Sequence, residues 1–230
     1  MLKNFSKLSF EEKSHTYELE GRKLPSVSGL VESFYEPFDP SVAKFSAIKY
    51  KTTEKKILAQ WKRAKTLALN KGNRVHHFAE RYAECIQTGN CKDIIPKTKD
   101  EFAIVEFFFK YRGYEIVAIE QKVFSKKYKY AGTFDLLLRH KKTKKLIIVD
   151  WKTNKDIYKN YKGKKLYRPF NQYLDQPLTH YYIQLNLYQL CLEEAGYQVS
   201  ERWIYWTTEG KLIKAPNLCS KLKQHYGKRV

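Results

Sequence analysis

The spacing of apolar residues changes near residue 113, and this change constrains the fold more than any other feature of the chain. Before it, apolar residues recur at helical spacing. After it come three β-rich runs, YEIVAIEQKVFS, YKYAGTFDLLLRH and KKLIIVDWK. A polar turn at 140–145 joins the last two, so we expect adjacent antiparallel strands. The sequence therefore predicts a mixed α/β (α+β) fold, with a core sheet flanked by helices and a helical N-terminal half.

The helical half divides into several segments. HTYELEGRKLPSV predicts a short hairpin around Glu20 and Gly21, followed by a helix that begins near Ser26. A helix is predicted over 54–70, and we expect Gly72 to interrupt it before a second helix that runs to Gly89. The apolar face of the first helix is predicted to consist of Ile57, Leu58, Trp61, Ala64, Leu67 and Ala68.

The remaining elements follow the same rules. A third helix is predicted over 99–111, a further helix over 179–195 ending at Gly196, and QVSERWIYWTT is predicted as the last strand. The polar loop 153–177 is long for a compact domain, which favours a functional role or mobility there. Neither a repeat nor a linker divides the chain. We therefore predict one domain over 1–230, with a mainly helical part at 1–112 and a catalytic α/β core at 113–230.

The charge balance indicates a polyanionic partner. Lysine and arginine total 44 against 24 acidic residues, a formal net charge of +20. Nucleic acid is the usual partner of such a chain, and a lysine-rich proteome is the alternative explanation. The basic residues concentrate at 51–71, 155–168 and 211–229, and tyrosines lie among those of the second stretch. Cations beside aromatic rings suit phosphates and stacked bases, and they equally suit an ordinary surface loop.

The cysteines and the apolar runs indicate in which cellular compartment the protein is expected. Cys85, Cys91, Cys191 and Cys219 lack CxxC spacing, so we expect reduced thiols in a cytosolic protein rather than zinc or disulfides. No apolar run approaches the ~18 residues of a membrane span. The start of the chain, MLKNFSKLSF, is too polar for a signal peptide. A cytoplasmic location and no membrane partner are the expectations.

The stretch IIVDWKTNK places a carboxylate and an amine at the end of a strand. Asp150 and Lys152 are two positions apart, so both side chains lie on one face of the strand. If the strands pair through the turn, Asp135 in GTFD comes near Asp150. Two carboxylates at a sheet edge suit Mg²⁺ or Mn²⁺, and a nearby lysine can orient water or neutralise phosphate charge. The alternative is an exposed surface ion pair, worth a few tenths of a kcal/mol.

Other motifs accompany this pattern. GTFD followed by IIVDWKT resembles the core of the PD-(D/E)XK nuclease superfamily, and more narrowly its RecB-like exonuclease branch. KGNRVHHFAE resembles the upstream helix motif of that branch, and QLNLY resembles its downstream Q-x-x-x-Y motif. LPSVSGLVESF resembles the segment with which phage-type and mitochondrial genome-maintenance exonucleases begin. The order and spacing agree over residues 15–208.

The resemblance implies a restriction-endonuclease-like core and a set of site residues. His76, Asp135 and Asp150 would bind a divalent metal, Mg²⁺ or Mn²⁺, together with the main-chain carbonyl of Trp151. Lys152 would position or activate the attacking water. The helix residues Gln184 and Tyr188 would support the site and the DNA strand.

Other residues near these motifs have less specific expected roles. Glu120 matches an acid upstream of the GxxD strand, and it would support the ligands or bind a second metal. Glu80 would orient His76 or simply be a surface glutamate, and His77 is expected in the core or on the surface. Without the resemblance, His76 would be interpreted as a core histidine, and Gln184 and Tyr188 as ordinary helix surface.

The resemblance implies a metal-dependent DNA nuclease that acts on DNA ends in recombination, repair or phage DNA processing. The basic helix 54–71 and the loop 155–173 would guide a strand over the metal. The alternatives are a DNA-binding scaffold on an inactive nuclease fold and a structure-specific endonuclease. The clustered cysteines of iron–sulfur relatives are missing, so no cluster is expected. Without a P-loop, a helicase or a single-strand annealing or binding protein would be a separate partner in a bacterial or phage-infected cell.

Overall fold

The computed structural model describes residues 2–12 and 14–227, without the side chain of Lys3. Eight strands are described: β1 Leu8–Glu11, β2 Thr16–Leu19, β3 Arg22–Leu24, β4 Tyr114–Ser125, β5 Tyr130–His140, β6 Leu146–Lys152, β7 Val199–Trp206 and β8 Lys211–Lys214. The α-helices described are α1 Val27–Glu32, α2 Ala43–Lys49, α3 Glu54–Thr88, α4 Lys99–Lys110, α5 Pro177–Glu194 and α6 Cys219–Gly227. Short 3₁₀ turns cover Lys3–Phe5 and Pro40–Val42.

The main sheet has the strand order β4-β5-β6-β7-β8. β4, β5 and β6 pair antiparallel, as predicted from their three β-rich runs, whereas β6 and β7 pair parallel. Parallel neighbours need a crossover, and α5 supplies it. The prediction that β7 is the last strand is wrong, because β8 pairs antiparallel with it and α6 follows. The predicted hairpin around Glu20 is confirmed as β2–β3, within a separate sheet β1-β2-β3.

Both faces of the main sheet are covered. On one face, Ile148 of β6 packs with Ile183 and Leu187 of α5. On the other face, Ile147 and Val149 pack with the C-terminal half of α3 and with α4. Alternation along the strand therefore puts Asp150 and Lys152 on the α5 face. The architecture confirms the predicted mixed α/β fold, a five-stranded sheet flanked by helices and consistent with a restriction-endonuclease-like core.

The interruption predicted at Gly72 is wrong. α3 is one continuous helix of 35 residues, about 52 Å long at 1.5 Å per residue. The predicted apolar face is also largely wrong, because only Ile57 of that set is buried, against Ala43 and Ala47 of α2. Residues 62–70 are exposed on every side, and Leu67 is 60% exposed. The middle of α3 thus forms an arm between two packed ends.

The expectation of four reduced thiols is wrong for one pair. Cys85 and Cys91 form a disulfide, whereas Cys191 and Cys219 are free and buried. Gly89 ends α3 with a φ of 74°, a conformation that favours glycine. The chain reverses there and brings the Cα atoms of the two cysteines within 4.9 Å. The spacing of the cysteines alone carries no sign of this turn.

The loop between β6 and α5 lacks helices and strands, as predicted, but it is packed onto the core. Ile157, Leu166 and Phe170 are fully or almost fully buried. Exposed tyrosines alternate with these anchors, among them Tyr161 at 67% exposure. Among the described residues, no helix combines the length and apolarity needed to cross a lipid bilayer.

Candidate active site

Pairing of β5 with β6 brings two of the sequence-predicted carboxylates together. The register opposes Leu136 to Val149, which places Asp135 and Asp150 at the next positions of the two strands. Asp135 Oδ2 accepts a hydrogen bond of 2.7 Å from the main-chain N–H of Trp151. Asp135 and Asp150 are 7% and 1% exposed, so both carboxylates are withdrawn from bulk water.

His76 reaches the same point from α3. Its Nε2 lies 3.0 Å from the carbonyl oxygen of Trp151, and its Nδ1 lies 3.4 Å from Asp135 Oδ1. The histidine nitrogen and the carbonyl oxygen are thus separated by a distance typical of two neighbouring ligands on one octahedral ion, since metal–ligand bonds of about 2.1 Å give an edge of about 3.0 Å. The structure brings together His76, Asp135 and the carbonyl of Trp151.

Glu120 joins this group from the edge strand β4. Its φ is 43°, which is unusual for a residue other than glycine and turns the strand locally. Ligand atoms of His76, Glu120 and Asp135 all lie within 4.8 Å of one another. Two carboxylates and an imidazole at such distances form a set suited to a divalent cation.

Asp150 and Lys152 form the adjoining part of the site. Lys152 Nζ lies 2.6 Å from Asp150 Oδ2. Apart from this ion pair, the buried oxygen has no partner among the described residues. The ammonium also lies 4.3 Å from the centre of the Tyr181 ring, a cation–π contact. A buried carboxylate oxygen with a single ammonium beside it keeps a lone pair that a metal ion can use.

The electrostatics of the site show an excess of negative charge. Burial by itself lowers the pKa of His76, but the Asp135 carboxylate outweighs it and raises the pKa to about 9. Burial raises the pKa of Glu120 to about 8, and the charge of Asp135 adds to that effect. Burial also raises the pKa of Asp150 to about 6, against the opposing charge of Lys152. A divalent cation would offset the repulsion among these carboxylates, so the residues fit such an ion.

Gln184 and Tyr188 lie on α5 beside the site. Gln184 Nε2 donates a 3.0 Å hydrogen bond to the Tyr188 hydroxyl. Tyr188 is 4% exposed, and its ring packs against Phe134 in GTFD. The structure thus places both residues behind the strand that carries Asp135, in contact with each other.

Glu80 and His77 lie at the rim of the site. His77 Nδ1 is 3.7 Å from Glu80 Oε2, and both side chains are more exposed than His76. Of the two interpretations of Glu80, the structure favours the surface glutamate, because its carboxylate lies beside His77 and makes no hydrogen bond or ion pair with His76 among the described residues. His77 accordingly lies on the surface.

Sequence analysis did not identify a set of contacts that hold the chain where it leaves β6. Three consecutive carbonyl oxygens, those of Lys152, Thr153 and Asn154, all accept hydrogen bonds from other parts of the molecule. The donors are Thr207 N to the first, Lys71 Nζ and Thr208 Oγ1 to the second, and Trp206 Nε1 to the third. The sequence carries no signal for these contacts, because the donors are 52 or more positions away.

An open cleft of about 940 Å³ gives access to the site. One wall is α3 from Leu67 to Glu80, and the other contains the end of β6 and Tyr181. His76, Glu120 and Lys152 all line this cleft, so a ligand in it reaches the candidate metal ligands and the candidate catalytic lysine together.

Comparison with protein families agrees with this geometry. Residues 99–225, more than half of the chain, match the family model of the PD-(D/E)XK nuclease superfamily. The chain belongs to that superfamily. The matched region contains Asp135, Asp150, Lys152, Gln184 and Tyr188, whereas His76 lies before it. No curated protein matches the chain. Membership of the PD-(D/E)XK superfamily implies a metal-dependent hydrolase that acts on DNA.

Proposed function

We propose that this PD-(D/E)XK protein is a metal-dependent DNA exonuclease of the RecB-like branch, which hydrolyses phosphodiester bonds from DNA ends. The observation that carries the proposal is the meeting of His76, Glu120 and Asp135 with the Asp150–Lys152 pair along one cleft. Helix α3 and strands β4, β5 and β6 each contribute to this arrangement. Groups from α3, β4 and β6 line the cleft, and Asp135 of β5 contacts His76 behind it, which an incidental surface ion pair would not explain.

Under this proposal, His76, Asp135, Asp150 and the Trp151 carbonyl hold Mg²⁺ or Mn²⁺, with Glu120 as a further ligand or a support. The bound ion supplies a water of lowered pKa and neutralises charge on the phosphate. Lys152 lies near these ligands. One carboxylate oxygen, Asp150 Oδ2, lies beside its ammonium group, and the remaining N–H groups can donate to the substrate. Its ammonium would donate a hydrogen bond to the attacking water or to a phosphate oxygen. The water oxygen forms a new bond to phosphorus and releases a proton to solvent, while the P–O bond to the leaving group breaks and the leaving oxygen takes up a proton from solvent. Gln184 and Tyr188 brace β5 behind Asp135.

The arm of α3 supports a path for the DNA strand. Residues 41–71 contain nine lysines and arginines against one acidic residue. At 100° per residue, Lys62, Lys65 and Leu69 lie within about 40° of His76 around the helix axis. Both lysines are exposed. Phosphates aligned with this row would lead into the cleft beside His76, and exposed apolar side chains such as Leu69 would meet unstacked bases.

The biological setting belongs to the same proposal and rests on the resemblance. Recombination, repair or phage DNA processing in the cytoplasm of a bacterial or phage-infected cell suits an exonuclease of this kind. A helicase or a single-strand annealing or binding protein would act as a separate partner.

The test uses linear single- and double-stranded DNA labelled at the 5′ or 3′ end, together with a covalently closed circle. Wild-type protein is compared with Asp150→Ala and Lys152→Ala variants in Mg²⁺, Mn²⁺ or EDTA. We expect metal-dependent loss of linear DNA with the circle spared. Both variants should lose at least about 100-fold in rate, while circular dichroism and DNA affinity stay close to wild type.

Each other outcome has a definite meaning. Cleavage of the circle would replace the exonuclease proposal with the structure-specific endonuclease. Binding without cleavage of any DNA would favour the scaffold function. Wild-type cleavage by a correctly folded Lys152→Ala variant would overturn the assigned mechanism.

A further inference from the structure

Lys71 is the charged residue among the groups that hold the end of β6. It lies on α3 one turn before His76, and its Nζ is 3.2 Å from the Thr153 carbonyl oxygen. The same Nζ is 3.1 Å from Thr208 Oγ1 and 3.0 Å from Asp100 Oδ2. An ammonium group has three N–H donors, and three acceptors surround this one. Lys71 therefore makes two hydrogen bonds and one ion pair within the protein, although it lines the cleft.

Asp100 is the centre of the same network. It lies in the first turn of α4 and is 7% exposed. Its Oδ1 accepts a hydrogen bond of 2.6 Å from Thr207 Oγ1 and lies 3.2 Å from Thr208 Oγ1. Burial by itself raises the pKa of Asp100, but the hydrogen bonds from Thr207 and Lys71 outweigh it and hold the pKa below its ordinary value. The carboxylate thus joins α3, α4 and the turn after β7.

The network ends on the residue proposed to be catalytic. The Lys152 carbonyl accepts a hydrogen bond from Thr207 N at 2.9 Å, and Thr207 Oγ1, whose proton goes to Asp100, lies 3.2 Å from the same oxygen. The next carbonyl, that of Thr153, accepts from Lys71 and Thr208. Lys71 is therefore linked to the main chain on which the Lys152 side chain is mounted, and it shares a helix with His76.

From these contacts we propose that Lys71 and Asp100 are positioning residues. They hold helix α3, which carries His76, against the end of strand β6, and this contact directs the Lys152 ammonium into the cleft. This inference rests on the proposed nuclease function. The competing role for a lysine in this cleft is a direct contact with a DNA phosphate. That role would require the ammonium to leave the two hydrogen bonds and the ion pair that it makes within the protein.

Two substitutions separate the two roles. If Lys71 positions Lys152, Lys71→Met and Asp100→Asn both lower kcat, by about 10- to 100-fold, because a small displacement of a catalytic group has an effect of that size. DNA affinity measured in EDTA stays within about threefold of wild type. The double variant is no slower than the slower single variant, because both changes break the same pair. Lys71→Arg restores part of kcat, since it keeps the charge and several donors.

The outcomes that overturn the proposal are equally definite. If Lys71 contacts DNA, Lys71→Met weakens DNA binding, and Asp100→Asn leaves kcat unchanged or strengthens binding by releasing the ammonium. Unchanged kcat in both folded variants also overturns it. Lys142→Met is the matched control, because it removes one exposed lysine in the turn at the other end of β6.

Hydrogen–deuterium exchange gives a second readout that does not depend on activity. We expect the amides of 151–155 to exchange faster in Lys71→Met and in Thr208→Val, which removes one hydroxyl and no charge. Unchanged exchange in both variants would overturn the proposal even if the wild-type protein cleaved no DNA. Conversely, a wild-type protein that cleaves no DNA but shows the faster exchange in its variants would contradict the proposed function alone.

Discussion

Gly132 lies where three of the sequence motifs pack against one another. A Cβ atom placed on this glycine of GTFD would lie 2.7 Å from Cε1 of Tyr188 and 2.9 Å from Cγ2 of Val27. Tyr188 belongs to QLNLY, and Val27 belongs to LPSVSGLVESF. The glycine is needed here for close packing, because only a residue without a side chain lets the ring approach the strand.

We predict that Gly132→Ala destabilises the protein by about 1–3 kcal/mol, the usual effect of adding a methyl group to a filled core. Urea unfolding measures the difference. Gly113→Ala is the control, because a Cβ there would have no neighbour within 4 Å. Equal stability of the Gly132→Ala variant and the wild type would contradict the close packing of Tyr188 on GTFD.

At the scale of elements, α3 carries both the arm proposed to face DNA and the candidate metal ligand His76. A glycine inside a helix costs only about 1 kcal/mol relative to alanine. Good helix formers such as Leu69, Lys71 and Arg74 lie near Gly72, and both ends of α3 are packed, through Ile57 on α2 and Val75 on the sheet. These contributions outweigh the cost of Gly72. The arm thus continues without a break into the turn that presents His76.

We predict that the double variant Lys62→Gln, Lys65→Gln binds single-stranded DNA more weakly and with a weaker salt dependence. Each phosphate contact contributes about 0.7 to the slope of log K against log salt, so losing two should reduce the slope by about 1.4. At saturating DNA, kcat should stay near the wild-type value, because neither residue contacts the candidate metal ligands. Fluorescence anisotropy over a salt series measures the slope.

The control for the arm is the double variant Lys142→Gln, Lys144→Gln in the turn between β5 and β6. It removes the same charge at the end of β6 that is far from the cleft. A slope that falls equally in both double variants would mean that the arm has no special part in DNA binding and that only the net charge of the protein matters.

At the scale of the whole molecule, the crossover from β6 through α5 to β7 assembles the site. The parallel pair leaves Lys152 beside Trp206 at the ends of their strands. The helix between them brings Tyr181 under the Lys152 ammonium and Gln184 against Tyr188. Ends of neighbouring parallel strands, with a helix beside them, form a natural place for a functional cleft.

We predict that the unreduced, denatured protein contains two reactive thiols, Cys191 and Cys219, because Cys85 and Cys91 are bonded to each other. Titration with a thiol reagent in denaturant, before and after reduction, counts them. Removing the bond with Cys85→Ser, Cys91→Ser should lower stability by about 2 kcal/mol, as expected for so short a closed loop. Four reactive thiols before reduction would contradict the pairing.

The sequence by itself determined the mixed fold, the antiparallel order of β4, β5 and β6, and the placement of Asp150 and Lys152 on one face at the end of β6. These follow from local information, since strand periodicity and turn residues act over a few positions. The register then brought Asp135 and Asp150 to neighbouring positions, as the pairing of their strands requires. The family motifs supplied His76, Gln184 and Tyr188, which no local rule separates from ordinary helix residues.

Only the tertiary structure decided the continuity of α3, the exposure of its apolar residues, the Cys85–Cys91 bond and the network around Asp100. Each depends on contacts between residues brought close by the fold. Lys71 hydrogen-bonds to Thr153, 82 positions away, and Thr207 to Asp100, 107 positions away. Hydrophobic spacing indicates which face of an element is buried, but it does not indicate which residues pack against that face. The partners of a polar side chain are therefore fixed only when the whole chain has packed.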